Sequence, residues 1–72
     1  MVKLVGHGIL KKYSCEIFLK DPIKLQELFV LGSIPEAVWE NAIFLKKNSK
    51  LNEADLISNT DEVHFYLVPL GG

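Results

Sequence analysis

Glu62-Val63-His64-Phe65-Tyr66-Leu67-Val68, followed by Pro69-Leu70-Gly71-Gly72, is the stretch on which the fold turns. Val63, Phe65 and Leu67 alternate with His64, Tyr66 and Val68, the period-two pattern of a strand. It is the strongest strand signal in the chain. Working back from it, residues 52–60 form a polar loop, with Leu56 and Ile57 expected to anchor it to the core. Lys50-Leu51 reads as a brief edge strand, Lys47-Asn48-Ser49 as a turn, and residues 42–46 as a third long strand. Residues 33–41 are a connector with a helical turn at 36–39.

Before that connector, Asp21-Pro22 is a helix-start signal, since Asp caps well and Pro suits the first helical position. Leu25, Leu28 and Phe29 follow at i, i+3 and i+4 as one apolar stripe. Gly32 is a natural C-cap ahead of Ile34-Pro35. A helix of about ten residues is marginal alone, so it must pack on a sheet. At the other end of the chain, residues 2–9 read as a strand with Val2 and Leu4 on one face and Lys3, Val5 and His7 on the other. Gly6 and Gly8 mark a bulge or a close backbone approach. Leu10-Lys11-Lys12 is a turn, and residues 13–20 form a second strand, with Cys15, Ile17 and Leu19 opposite Ser14, Glu16 and Phe18. The helical crossover between the first and last long strands permits a parallel central pair. The expected fold is α+β: a mixed sheet of four to five strands with one main helix on one face.

Length and composition narrow the function. Seventy-two residues make one domain, residues 1–68, with 69–72 as a flexible tail. At 49% hydrophobic and 24% charged residues, the chain has globular composition. Eight lysines face nine acids, the net charge is -1, and arginine is absent. That argues against nucleic-acid binding, which draws on arginine for bidentate recognition. No apolar run approaches the roughly 18 residues of a membrane helix, and no signal peptide is visible. One cysteine, Cys15, cannot form an internal disulfide, so an intracellular, cytoplasmic location is expected. A chain this short buries only about 60% of its unfolded surface, which favours a binding or carrier module over an enzyme.

The chemical constellations are sparse. His7, His64 and Cys15 lack zinc spacing, so no metal site is expected, although His7 and His64 come together if the first and last strands pair. Ser33 lacks the G-x-S-x-G elbow, and Cys15 falls on the core face as a buried structural thiol. Glu53-Asp55 and Asp61-Glu62 read as solvated loop residues, and Gly6-His7-Gly8 is only a fragment of a dinucleotide loop. Lys46, Lys47 and Lys50, like Lys11 and Lys12, read as solubilising, edge-protecting lysines. Two features remain. The third and last strands are apolar on both faces. With Ile43 and Leu45 set against the helix, Phe44 faces out with Val5, His64, Tyr66 and Val68 as a partner surface anchored by Phe44 and Tyr66. The second feature is the ending. Pro69, Leu70, Gly71 and Gly72, extended, reach about 13–14 Å, and glycine lets a terminal carboxylate enter a narrow channel.

The sequence resembles the MoaD/ThiS sulfur-carrier branch of the ubiquitin-like β-grasp proteins. The similarity covers nearly the whole chain by element order and is most specific from Ala42 onward. Ala42-Ile43-Phe44-Leu45-Lys46-Lys47-Asn48-Ser49 resembles the family's strand and V-N-G turn. Asn59-Thr60-Asp61-Glu62-Val63 resembles its D-G-D-x-V turn, and Val63-His64-Phe65-Tyr66 is similar to ubiquitin's Leu-His-Leu-Val before Gly-Gly. Ser49 and Thr60 stand where the family has turn glycines. A single Pro69 stands where MoaD tails usually carry two prolines, which leaves MoaD and ThiS both open.

The resemblance implies a β-grasp fold and a carrier that binds no cofactor itself. A partner adenylyltransferase of the MoeB/ThiF, ubiquitin-activating-like type would use ATP and magnesium to join the Gly72 carboxylate to AMP. A sulfur donor would then leave a thiocarboxylate on Gly72. The acceptor would be the molybdopterin synthase large subunit or thiazole synthase. Two other readings share these residues: a protein modifier conjugated through Gly72 to lysines, and a non-covalent adaptor that uses the Phe44/Tyr66 face.

Overall fold

β1 (Val2–Gly6) lies parallel to β7 (Glu62–Leu67), with Leu4 beside Val63 and Val5 beside His64. The structure, a computed structural model, describes residues 1–68; the readings placed on Pro69, Leu70, Gly71 and Gly72 lie outside the described residues. β2 (Cys15–Ile17) runs antiparallel to β1, and β4 (Ala42–Lys46) runs antiparallel to β7 on its other side. β5 (Ser49–Lys50) completes a mixed five-stranded sheet in the order β2-β1-β7-β4-β5. β7 is therefore central, as its apolar run predicts. The fold is α+β, and among the described residues no helix is long and apolar enough to cross a membrane.

α1 (Leu25–Leu31) covers one face of this sheet. Its stripe of Leu25, Leu28 and Phe29 is buried against Val2, Leu4, Phe44, Val63 and Phe65. Each such side chain contributes about 1.5–3 kcal/mol by leaving water. α2 (Glu36–Trp39) forms where the connector predicted a turn, and the Trp39 indole N–H donates to the Ile34 carbonyl at 2.9 Å.

The helix begins later than Asp21-Pro22 suggests. Residues 23–24 instead form β3 (Ile23–Lys24), paired antiparallel with β6 (Leu56–Ile57). The first helical N–H groups find loop carbonyls rather than an Asp21 side chain: Leu25 donates to Asp55 and Gln26 to Glu53, at 2.9 and 3.1 Å. The Glu27 carboxylate accepts the Lys24 N–H at 3.3 Å, so only the reciprocal half of a capping box is made, because a lysine side chain has no acceptor to offer. Ile57 is fully buried as an anchor, whereas Leu56 points outward and is exposed.

At its other end α1 closes with Gly32 as C-cap. Ser33 donates to Val30 and Ile34 to Phe29, the two bonds of a Schellman motif, with buried Ile34 returning to the core beside Phe29. The left-handed position of this motif is held by Ser33, at φ 56°.

The first two strands are shorter than their patterns. β1 stops at Gly6 because the chain turns into a 3-10 helix, Gly8–Tyr13, which absorbs the expected turn. Gly6 is a close approach: a Cβ there would overlap the Leu10 carbonyl and lie 3.0 Å from the Phe65 ring. Gly8 opens the 3-10 helix at φ 62°. β2 keeps only three of its expected residues, but its alternation holds, with Leu19 buried and Phe18 exposed. The edge strand is Ser49–Lys50 rather than Lys50-Leu51.

Candidate functional site

The face of the sheet away from α1 is uncovered among the described residues. The register fixes what it carries. Tyr66 lies opposite Ile43 and His64 opposite Leu45 on β4, while Val5 lies beside His64 on β1. Val5, Ile43, Leu45 and His64 are partly exposed, and Tyr66 and Val68 are each 38% exposed. Val5, His64 and Tyr66 thus lie on the face expected of them, whereas Val68, beyond the last ladder pair, lines a separate cleft with Leu67.

Phe44 does not. It pairs with Phe65 across β4 and β7, and is 4% exposed. Its ring lies 5.3 Å from that of Phe65 and 4.3 Å from that of Phe29, inside the core. The outward placement of Phe44 is therefore corrected: β4 is in the opposite phase, and Ile43 and Leu45 face out in its place. A shift of one residue moves every side chain of a strand to the other face. Ala-Ile-Phe-Leu is apolar throughout, so its pattern alone carries no phase.

His7 joins the face, a contact that residue spacing could only make conditional on strand pairing. Its backbone N–H donates to the Phe65 carbonyl at 3.1 Å, which extends the β1–β7 ladder one step beyond Gly6. The side chain then reaches His64, with His7 Nε2 2.8 Å from His64 Nδ1. The ring centroids are 5.1 Å apart, which is the nitrogen separation extended by the radius of each ring. Only an edge-to-edge, in-line N–H···N contact reaches that separation; stacked rings would lie closer. On its other side, His64 Nε2 lies 3.3 Å from a Glu62 carboxylate oxygen. Tyr66 lies parallel on His7, with centroids 4.3 Å apart and planes 7° apart. Glu62, His64, His7 and Tyr66 thus form a connected row across the two central strands.

Beside this row, a hollow of about 460 Å³ is lined by Leu45, Lys47, Asn48, Thr60, His64 and Tyr66 among others. Asp61, expected to be a solvated loop residue, is instead a hub at its edge. Its Oδ2 accepts the Ser58 N–H at 2.8 Å and pairs with the Lys46 ammonium at 3.3 Å. Lys46 is thereby tied down rather than solvated, while Lys47, Lys50, Lys11 and Lys12 are exposed. A second, apolar cleft of about 450 Å³ lies where β7 ends, walled by Ile9, Tyr13, Val38, Leu67 and Val68. Leu67, expected inside by alternation, is 43% exposed there.

Among the described residues, no group of three or more His, Cys, Asp and Glu side chains converges as a metal site. Cys15 is half-buried, and desolvation pushes its thiol up from the ordinary value of 9.0, so it stays protonated at neutral pH and is a weak nucleophile. Ser33 is occupied in closing α1. Compared with known proteins, the chain matches no family model and no curated protein sequence.

Proposed function

We propose that this chain is a β-grasp sulfur carrier of the MoaD/ThiS type, the substrate of other enzymes rather than an enzyme. The observation that carries the reading is the sheet topology. The chain's last strand is central, held by a parallel neighbour on one side and an antiparallel one on the other. It leads directly into Pro69-Leu70-Gly71-Gly72. In this reading the Gly72 carboxylate follows an anchored strand by four residues, a span of about 13–14 Å when extended, enough to reach a docked partner's active site. In the proposed chemistry the Gly72 carboxylate attacks the α-phosphorus of ATP and pyrophosphate leaves. A sulfur donor then displaces AMP and leaves a thiocarboxylate. ATP, magnesium and the catalytic groups belong to the partner adenylyltransferase. The uncovered face of Val5, Ile43, Leu45, His64 and Tyr66 is proposed as the surface on which that partner and the molybdopterin or thiazole acceptor dock.

The adaptor reading is favoured by one specific observation: Val5, Ile43, Leu45, His64 and Tyr66 already share one uncovered face among the described residues. Deleting Gly71 and Gly72 separates the two. The carrier reading expects complete loss of exchange between ATP and labelled pyrophosphate with a cognate adenylyltransferase, while the shortened chain still competes with the intact one for the enzyme. Exchange at the full rate after the deletion would reject the carrier reading and leave the adaptor. A modifier shares the adenylation step and is told from a carrier by stable conjugates to lysine.

A further inference from the structure

The in-line contact between His7 and His64 has room for one proton. The Glu62 carboxylate oxygen 3.3 Å from His64 Nε2 favours the tautomer that carries its hydrogen there, and in that neutral ring Nδ1 is the acceptor. His7 Nε2–H therefore donates across the 2.8 Å gap. One added proton leaves this bond intact, because either ring, once charged, still donates to a neutral neighbour. A second places N–H groups on both sides of the gap, with no acceptor between two cations. The bond is then lost, and the His7 ring is driven away from His64 and off Tyr66.

We infer that His7 and His64 share a single proton across this bond, and that the uncovered face takes a second, opened shape once both rings are protonated. As a regulatory device this rests on the docking role proposed above: partners would meet the flat His7–Tyr66 platform while the bond holds and lose it once both rings are charged. The neighbouring charges do not replace the missing acceptor. On β7, Glu62 is on the far side of His64, and on β1, Lys3 lies beside Glu62 and opposite Glu16 of β2. From β4 and its turn come Lys46, already paired with Asp61, and Lys47; Lys50 of β5 lies opposite Leu45, and the 3-10 helix after His7 ends in Lys11 and Lys12. Except for the two carboxylates already engaged and Glu16, these groups are cations.

The test is a pH titration of the whole chain by NMR, following the imidazole nitrogens of His7 and His64 and the ring protons of Tyr66. The expected result is coupled protonation, in which the second proton is taken up only as the His7–His64 bond is lost. Tyr66 ring signals should shift with the second step. In His7→Phe, which keeps a flat ring against Tyr66 but cannot bond, His64 should titrate in one step and Tyr66 should stay still. His64→Gln gives the complementary check, with His7 titrating alone. Independent single-step titrations in the wild type, with unmoved Tyr66 signals, would overturn the inference. The measurement needs no partner, so its failure leaves the Gly72 reading intact. Two coupled steps alongside an inert Gly72 would keep the shared proton and reject the carrier.

Discussion

Tyr66 and Phe44 are aromatic residues on neighbouring strands, yet one lies flat on His7 in solvent and the other is enclosed by Phe29 and Phe65. Substitutions at the two positions should therefore differ in kind. Phe44→Ala removes a core ring and leaves a cavity, at a cost of about 3–5 kcal/mol. In a domain of this size that is comparable with the total stability. Tyr66→Ala loses strand propensity and its stacking contact, about 1 kcal/mol. Urea unfolding followed by circular dichroism should show Phe44→Ala largely unfolded in buffer and Tyr66→Ala close to wild type. Equal midpoints would contradict the assigned phase of β4. That phase was illegible in the sequence because Ala42 to Leu45 is uniformly apolar, and it became fixed only by pairing with β7. The phase of β7 itself was readable, since His64 and Tyr66 interrupt its apolar run.

α1 shows what a sequence pattern specifies and what it leaves to tertiary contacts. Its apolar stripe and its stop at Gly32 follow from local chemistry and hold in the structure. Its start does not, because Asp55 and Glu53, far along the chain, supply the carbonyls that receive its first N–H groups, and Ile23 is drawn into pairing with Ile57. A two-residue ladder leaves no periodicity to read. The same loop is tied elsewhere by single bonds, such as the Leu19 N–H to the Asn59 side-chain oxygen at 2.8 Å. The turn between β4 and β5 was placed correctly, and Lys47 and Asn48 both take positive φ there, the pattern of a type I′ hairpin. At the end of α1, Ser33 bears the strain of a left-handed conformation that glycine adopts freely. Ser33→Gly should stabilise the domain by about 1 kcal/mol. For a domain of this length that is a rise in Tm of about 4–8 °C by calorimetry. A lowered Tm would mean that the Ser33 side chain contributes something beyond closing the helix.

Taken as a whole, the molecule has two unlike sheet faces. One face, with α1, carries the buried apolar side chains that hold the domain together. The other keeps a row of Glu62, His64, His7 and Tyr66 amid half-exposed aliphatic side chains. In the carrier reading proposed above, a partner would hold this second face while chemistry takes place beyond the last strand. The central claim is that this chemistry takes place on the Gly72 carboxylate. Intact mass spectrometry of the chain, after incubation with a cognate adenylyltransferase, ATP and a sulfur source, addresses it most directly. The account predicts replacement of one oxygen by one sulfur, located by fragmentation in the final peptide. A tail of unchanged mass across several cognate adenylyltransferases would contradict it.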